Sequence, residues 1–353
     1  MLLCLIVFIF SGKVQAAVSG VCSDCHTMHN SQGGQPMAYK LNASFTGFDP
    51  NSTPGKFLLV SDCVGCHTSA GNASIVNNVP VVFNTGGYPA QPLAAGNFYW
   101  VAQGAQYDSY GHNVYGMRLS AQDGTLTTAP GKTPGACGNS CHTSLAQAPG
   151  ANNSNRGGCR GCHVFTAHHD DSRPWYRFLK GHDATNAQLP IPSSAADTAD
   201  YVVGVEDNDW EQETAVDHNW YKGTDVSYIW GAGLRDHQTV TAFCSGCHGI
   251  FHGNPGSGDG MGGSSPWIRH PTDIILPQTG EYAGYNPPAE YSNTAPVAYT
   301  TPSSPSRATA VVMCLSCHRA HASPYYKMLR WDYKSLTLSA AISGCNVCHT
   351  SKN

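Results

Sequence analysis

Cysteine and histidine recur along the chain in one fixed spacing. Six segments read Cys-x-x-Cys-His, and a seventh has one extra residue between its cysteines. Two thiols at this spacing can bond the two vinyl carbons of a porphyrin, while the next imidazole binds its iron, so the pattern indicates c-type haem attachment. The predicted attachment sites are Cys22/Cys25/His26, Cys63/Cys66/His67, Cys137/Cys141/His142, Cys159/Cys162/His163, Cys244/Cys247/His248, Cys314/Cys317/His318 and Cys345/Cys348/His349.

Three other chemistries use paired cysteines, and none fits this chain as well. Zinc sites combine two pairs per metal and need no histidine directly after each second cysteine. Thioredoxin-like motifs need a βαβ context, and disulfide frameworks are typical of short secreted chains. The seven pairs use fourteen of the fifteen cysteines, all except Cys4. We therefore expect seven covalent haems.

Ten histidines remain after the seven in the motifs. A second imidazole on every iron would need seven of them, and methionine is the rival sixth ligand. We expect bis-His ligation, and the sequence leaves open which of His168, His169, His182 and His237 bind iron. The predicted second ligands are His29, His112, His168, His169, His218, His252, His270 and His321.

Three of these histidines follow a motif histidine closely. His29 and His321 come three residues after theirs, and His252 comes four after His248. If the segment after each motif is helical, the two imidazoles lie on one face of the helix and point the same way. They could not then hold one iron from opposite sides, so the second histidine is expected to reach a different haem.

The composition predicts what kind of structure positions these ligands. Charged residues are 12% of the 353 residues, about half the usual share, and there are 38 Gly and 22 Pro. We expect a multihaem cytochrome c fold that is mostly coil, with short helices after the haem motifs, a few small β-hairpins and the haem chain as its core. Short apolar pieces at Val79 to Phe83 and Tyr201 to Val205 are candidate strands of such hairpins.

The N-terminus indicates export. Residues 1–17 combine an apolar run with small residues, as a signal peptide does. Residues 18–353 are expected to form one continuous heptahaem domain. No other segment is apolar enough to predict a membrane span, and the low charge gives no nucleic-acid footprint.

Haem would change the charge balance. The chain has 19 Lys and Arg against 23 Asp and Glu. Seven haems would add two propionates each, fourteen in all, so cations are too few to pair with every carboxylate. Many propionates must be solvated or accept hydrogen bonds from polar side chains.

Several segments together resemble one family, the OmcS-type extracellular multihaem c-type cytochromes. This is the outer-surface cytochrome filament family of metal-reducing bacteria. This chain departs from the family pattern in haem number. The family pattern has six haems, whereas this chain has seven motifs, with extra material around 137–240. The segments that carry the resemblance are CSDCHTMHNSQGG at 22–34, GHN at 111–113, LTTAPG at 126–131, CSGCH with FH at 244–252, RHP at 269–271, CLSCHRAHAS at 314–323 and CNVCH at 345–349.

The resemblance implies a head-to-tail homopolymer in which His29 binds a haem of the next protomer. The competing interpretation is that His29 binds a second haem within its own chain, as expected for His321. A contact of this kind that does not close on itself gives an open filament.

Two classes of function remain after these observations. The first is extracellular electron transfer to metal oxides or partner cells, with other multihaem cytochromes and external electron acceptors as partners. The second is a multihaem reductase with one open iron, and a monomeric periplasmic shuttle is a variant of the first. Reductases of this kind often carry C-x-x-C-K, whereas every motif here ends in histidine. We therefore expect an electron carrier, not an enzyme, located outside the cell or on its outer surface, with the periplasm as the alternative.

Overall fold

The structure is a computed structural model, and most of its described residues lie in the second half of the chain. For residues 250 and 252, and for the described residues within 31–50 and 261–268, it describes the backbone alone. The described residues are 31–32, 35–36, 39–41, 48–50, 63–117, 129–131, 145–146, 157–163, 175–179, 201–207, 209, 217–226, 237–252, 261–264, 267–268 and 270–351.

Helices are short throughout these residues, and none exceeds six residues. The α-helical segments are Cys63–Cys66, Tyr99–Ala102, Val240–Ser245, Leu338–Ala341 and Cys345–Cys348. The 3₁₀ segments are Ala105–Tyr110, Gly158–Gly161, Tyr176–Phe178, Gly249–His252, Gly280–Tyr282, Arg307–Thr309, Cys314–Ser316 and Tyr326–Met328. The frequent Gly and Pro account for this, because both residues interrupt helices.

Strands are equally short, at two to four residues each. They are β1 Ser31–Gln32, β2 Gln35–Pro36, β3 Tyr39–Leu41, β4 Phe48–Pro50, β5 Thr68–Ser69, β6 Ile75–Val76, β7 Val79–Pro80, β8 Phe83–Asn84, β9 Gly204–Val205, β10 Trp220–Tyr221, β11 Met261–Ser264, β12 Trp267–Ile268, β13 Ile274–Ile275, β14 Ala298–Tyr299 and β15 Ala310–Val312. The prediction of a mostly irregular chain with short helices and small strands is confirmed for the described residues.

Most of these strands pair in twos. β6 and β7 form an antiparallel hairpin, and β9 pairs antiparallel with β10, so both predicted apolar pieces contribute strands. β5 pairs in parallel with β8. The largest sheet of the described residues has three antiparallel strands in the order β13-β15-β14.

Apolar side chains gather in three small clusters among the described residues. One surrounds Tyr221 and Val311, a second surrounds Phe98 and Met117, and a third surrounds Leu276 and Tyr299. Motif cysteines pack against each cluster: Cys244 on the first, Cys159 on the second and Cys348 on the third. The apolar clusters therefore adjoin the predicted attachment sites.

Within the described residues, no helix has the length and hydropathy needed to cross a bilayer. The predicted signal peptide at 1–17 lies outside the described residues. The single domain at 18–353 stays a prediction.

Candidate haem sites

Each of the five described Cys-x-x-Cys-His motifs folds into one helical turn. In all five, the backbone N–H of the histidine donates to the carbonyl oxygen of the first cysteine. The N···O distances are 2.9 Å for His67 to Cys63, 2.9 Å for His163 to Cys159, 3.0 Å for His248 to Cys244, 3.1 Å for His318 to Cys314 and 2.9 Å for His349 to Cys345. An i to i+4 bond places the first cysteine and the histidine on one face of the turn.

The helical turn lies within the motif itself, and a helical segment rarely follows the motif histidine. Only the motif that ends at His248 continues into a described 3₁₀ segment, Gly249–His252. Strand β5 begins directly after His67, and His318 forms an isolated bridge with Leu329. The prediction for His321 assumed a helix after His318. The structure has no helix there.

The imidazoles of four motifs are oriented by a backbone carbonyl. A carbonyl oxygen can only accept, so each Nδ1 carries the proton and the Nε2 lone pair is available to a metal. The Nδ1···O distances are 2.7 Å for His67 to Pro80, 2.8 Å for His163 to Arg177, 2.7 Å for His248 to Pro130 and 2.9 Å for His318 to Lys327. This tautomer fits an iron ligand, which binds through Nε2.

His349 differs from the other four because its neighbour is a carboxylate. Its Nδ1 lies 3.2 Å from Oε1 of Glu281, within ion-pair range but without hydrogen-bond alignment. A carboxylate beside the outer nitrogen of a ligand makes the imidazole a stronger electron donor.

Two of the orienting carbonyls come from a repeated sequence that lies outside the Cys-x-x-Cys-His motifs. Residues 174–179 read Pro-Trp-Tyr-Arg-Phe-Leu, and residues 324–329 read Pro-Tyr-Tyr-Lys-Met-Leu. In both copies the basic residue has a positive φ, 47° at Arg177 and 61° at Lys327. Its carbonyl then faces the imidazole of the preceding motif. The signal available in the sequence was this six-residue similarity downstream of two motifs.

Three motif histidines face a histidine from elsewhere in the chain. The ring centroids are 6.0 Å apart for His112 and His248, 6.0 Å for His163 and His321, and 6.2 Å for His270 and His349. One metal held between two imidazoles at metal–nitrogen distances of about 2 Å separates the ring centroids by about 6 Å. The spacing of all three pairs therefore fits one iron per pair.

His321 is fixed in place by backbone contacts on both sides. Its N–H donates to the carbonyl of Ala95 at 2.7 Å, and its own carbonyl accepts from His112 at 3.0 Å. Gly96 allows this approach, because it has a φ of +84° and a Cβ there would lie 1.9 Å from the Ala322 oxygen. The ring of Phe98 stacks on the His321 imidazole at 4.9 Å.

Burial keeps the imidazoles of His112 and His321 neutral. Together with nearby histidines, it lowers the pKa of His112 from 6.5 to about 4 and that of His321 to about 3. Burial also lowers the pKa of His163. A neutral imidazole is the form that binds a metal, so these environments suit ligands.

The described motifs also lie beside one another. A hydrogen bond to Cys63 and then burial raise the pKa of the Cys159 thiol, and a hydrogen bond to Cys314 and then burial raise that of Cys244. Burial raises the pKa of Cys162 to about 12, with Cys247 nearby. Burial and then the nearby Cys345 thiol raise the pKa of Cys317 to about 12 as well. The five described motifs thus follow one another in space in chain order.

His218 has a different environment from the three paired histidines. It is 2% exposed, and its ring stacks on Tyr291 at 3.5 Å and packs against Trp220 at 4.1 Å. Its Nδ1 donates to the carbonyl of Asn219 at 2.9 Å. The tautomer again leaves Nε2 able to bind a metal.

The side chains of the remaining predicted ligands and attachment sites are not described. For His252 the backbone is described, and the others lie outside the described residues. The residues outside the described part are Cys22, Cys25, His26, His29, Cys137, Cys141, His142, His168, His169 and His182.

Comparison with known proteins finds similarity to c-type cytochromes. The family model "Doubled CXXCH motif" matches residues 307–353, which contain the Cys314 and Cys345 motifs. The curated protein "C-type cytochrome OmcS" of Geobacter sulfurreducens is 26% identical over 400 residues, covering 94% of this chain and 83% of its own length.

Two solved structures were also found, each 20% identical and covering 96% of this chain and 100% of its own. They are "Outer Membrane Cytochrome S Filament from Geobacter Sulfurreducens", with a TM-score of 0.46, and "Cryo-EM of the OmcS nanowires from Geobacter sulfurreducens", with a TM-score of 0.42. The sequence match and the motifs show that the chain is similar to OmcS-type multihaem c-type cytochromes.

Proposed function

We propose that the chain transfers electrons outside the cell through seven covalently attached c-type haems, each held by two histidines. Each haem iron would accept and release one electron at a time. The chain's own contribution is to attach the haems, to fix both axial ligands and to set the distance from one haem to the next. This role needs no open coordination site, and so it differs from that of a reductase.

The facing imidazole pairs are the observation that carries the proposal. In each pair a motif histidine lies about 6 Å from a histidine outside that motif, at His112/His248, His163/His321 and His270/His349. An iron between two imidazoles has both axial positions filled. No substrate could bind there without displacing a ligand, and this favours electron transfer over catalysis.

The contacts between described motifs support a continuous path. Thiols of two motifs approach closely at Cys63 and Cys159 and again at Cys244 and Cys314. Haems attached at adjoining turns would lie side by side. We propose that the haems of the five described motifs are ordered along the path as these five motifs are ordered along the chain.

We also propose that the path continues from one molecule to the next. His29 would bind a haem of the adjacent protomer, which makes the contact head-to-tail and open-ended. Support comes from the resemblance of residues 22–34 to the filament cytochromes and from the three-residue spacing to His26. The variant His29→Ala should abolish filaments and convert one haem per chain to high spin. Filaments that persist unchanged would contradict the intermolecular bond.

Carbon monoxide binding tests electron transfer against catalysis. Reduced haem with two histidine ligands has no free position, so the purified reduced protein should bind far less than one carbon monoxide per chain. Binding of one equivalent per chain at a single haem would contradict the proposal and would indicate an open iron of the reductase type. Acid-unfolded protein, in which the axial ligands are released, provides the positive control.

A further inference from the structure

Two buried arginines meet beside the Cys314 motif. Arg319 is 8% exposed and Arg330 is 7% exposed, and each donates an Nη1 proton to the carbonyl oxygen of Ala94, at 3.2 Å and 3.3 Å. The backbone holds both near the haem site: Arg319 directly follows His318, and the Arg330 N–H donates to the carbonyl of Cys317 at 2.9 Å. Two guanidinium groups therefore meet at the Ala94 carbonyl, and Arg319 Nη1 also donates to the carbonyl of Leu93 at 2.8 Å.

Some of the donors around these arginines have no acceptor. The Nε of Arg330 donates to the carbonyl of Asn293 at 2.9 Å, but its Nη2 is buried without a hydrogen-bond partner. The hydroxyl of Tyr88 is also buried without a partner. Among the described residues, Arg330 forms no ion pair. A buried guanidinium without a counter-ion is strongly unfavourable, so this arrangement requires an anion.

Tyr88 lies close enough to Arg319 and Arg330 for both guanidinium charges to affect its hydroxyl. Burial raises the pKa of its hydroxyl from 10.0 to about 12, while Arg319 and Arg330 oppose that rise and Tyr325 adds to it. The hydroxyl therefore stays protonated at neutral pH and can donate. Two guanidinium groups and one phenol form a set of donors that matches the two oxygens of a carboxylate.

We propose that Arg319, Arg330 and Tyr88 bind a propionate carboxylate of a haem adjacent to the Cys314 motif. The inference rests on the proposed haem content, because the propionate is the carboxylate that each attached haem would bring to this interior. The 19 Lys and Arg cannot pair with every acidic side chain and propionate. The proposed site would be one place where a propionate does pair with cations. The site would neutralise one propionate that burial would otherwise disfavour.

The site should raise the midpoint potential of that haem. An ionised propionate near the iron stabilises the ferric form, and a guanidinium that pairs with the propionate weakens this effect. Without Arg330, the buried propionate would have a raised pKa, because burial disfavours the charged form. The midpoint potential would then rise as the pH falls and the propionate becomes protonated.

Spectroelectrochemical titration of the haem-loaded protein at several pH values tests the site. In Arg330→Gln we expect one haem to show a lower midpoint potential that depends on pH, with haem number and low-spin state unchanged. Tyr88→Phe removes a single donor and should shift the same haem in the same direction by less, which keeps the test available if Arg330→Gln folds poorly.

Arg307→Gln is the matched control. Arg307 donates to the carbonyls of Tyr285, Gln278 and Tyr282 at 2.8 Å, 3.2 Å and 2.8 Å. Its replacement should leave every midpoint potential in place. Unchanged potentials in both Arg330→Gln and Tyr88→Phe would overturn the proposal. A wild-type potential that moves with phosphate concentration at constant ionic strength would also overturn it, because a free anion would then occupy the site. A wild-type protein with fewer than seven haems per chain would instead contradict the proposed function.

Discussion

The backbone N–H of His112 donates a hydrogen bond of 3.0 Å to the carbonyl oxygen of His321. The His112 imidazole faces His248, and that of His321 faces His163. If each pair holds an iron, one main-chain hydrogen bond joins the ligands of two different haems. The distance between those haems is then set by the backbone, which varies less than side-chain rotamers do.

The first prediction concerns the ligand role of His321. His321→Ala should convert one haem per chain from low spin to high spin, because the iron opposite His163 loses one imidazole. His112→Ala should do the same at another haem, so the double variant should show two high-spin irons per chain. Electron paramagnetic resonance of the oxidised protein counts them.

Phe98→Leu is the control for these variants. Phe98 stacks on the His321 ring at 4.9 Å but has no metal-binding atom. All irons should stay low-spin in this variant. A single high-spin iron in the double variant His112→Ala/His321→Ala would contradict the assignment of these histidines to two haems.

A second prediction concerns the close approach at Gly96. Gly96→Ala should lower the free energy of unfolding by about 3 kcal/mol, since it combines a left-handed φ with a backbone clash. It should also raise the high-spin fraction, because the displaced segment includes His321. Gly280 has a φ of +63°, and no atom lies within 4 Å of where a Cβ would be. Gly280→Ala should therefore lower the free energy of unfolding by only about 1 kcal/mol. Equal costs in thermal denaturation would contradict the clash.

The third prediction tests the carbonyl that orients His318. Lys327→Pro forbids the φ of 61° at this position and should remove the 2.9 Å bond to the His318 Nδ1. A ligand that loses this bond donates less to the iron, so the midpoint potential of one haem should rise. Lys327→Gly keeps the left-handed conformation and should leave the potential where it was. Redox titration that finds the two variants identical would contradict the role of the carbonyl.

A fourth prediction follows from Asp273, whose carboxylate is 1% exposed. Burial raises its pKa from 3.8 to about 8, and the nearby Thr241 hydroxyl only partly offsets this without forming an aligned hydrogen bond. Between these values the unfolded chain has lost a proton that the folded chain retains. The free energy of unfolding should therefore fall as the pH rises from about 4 to about 8.

Denaturation at several pH values measures this dependence. Asp273→Asn should flatten the curve in that range and should be more stable than the wild type near pH 7. Asp332→Asn, at an exposed carboxylate, is the control and should leave the slope unchanged. A slope that persists in Asp273→Asn would assign the pH dependence to another group.

Local features of the haem sites could be predicted from the sequence, and their long-range partners could not. The turn at each motif depends on a spacing of four residues, as between Cys63 and His67, so the motif defines it. The carbonyl that orients an imidazole comes from 9 residues away for His318 and 118 residues away for His248. Nothing within either motif indicates that distance.

The partner of His321 could not be predicted from the sequence either. Its three-residue spacing from His318 led to the prediction that it reaches another haem, and the ring lies beside His163. The identity of that partner depends on main-chain bonds to Ala95 and His112, more than 200 residues earlier. Contacts of this kind require the folded chain, because no periodicity in the sequence encodes them.

The measurement that bears most directly on the bis-His haem chain is low-temperature electron paramagnetic resonance of the fully oxidised protein, with haem quantified on the same sample. The proposal predicts seven haems per chain and low-spin ferric signals that account for all of them. A high-spin signal that integrates to one haem per chain would contradict it, since one iron would then have an open or weakly bound axial position.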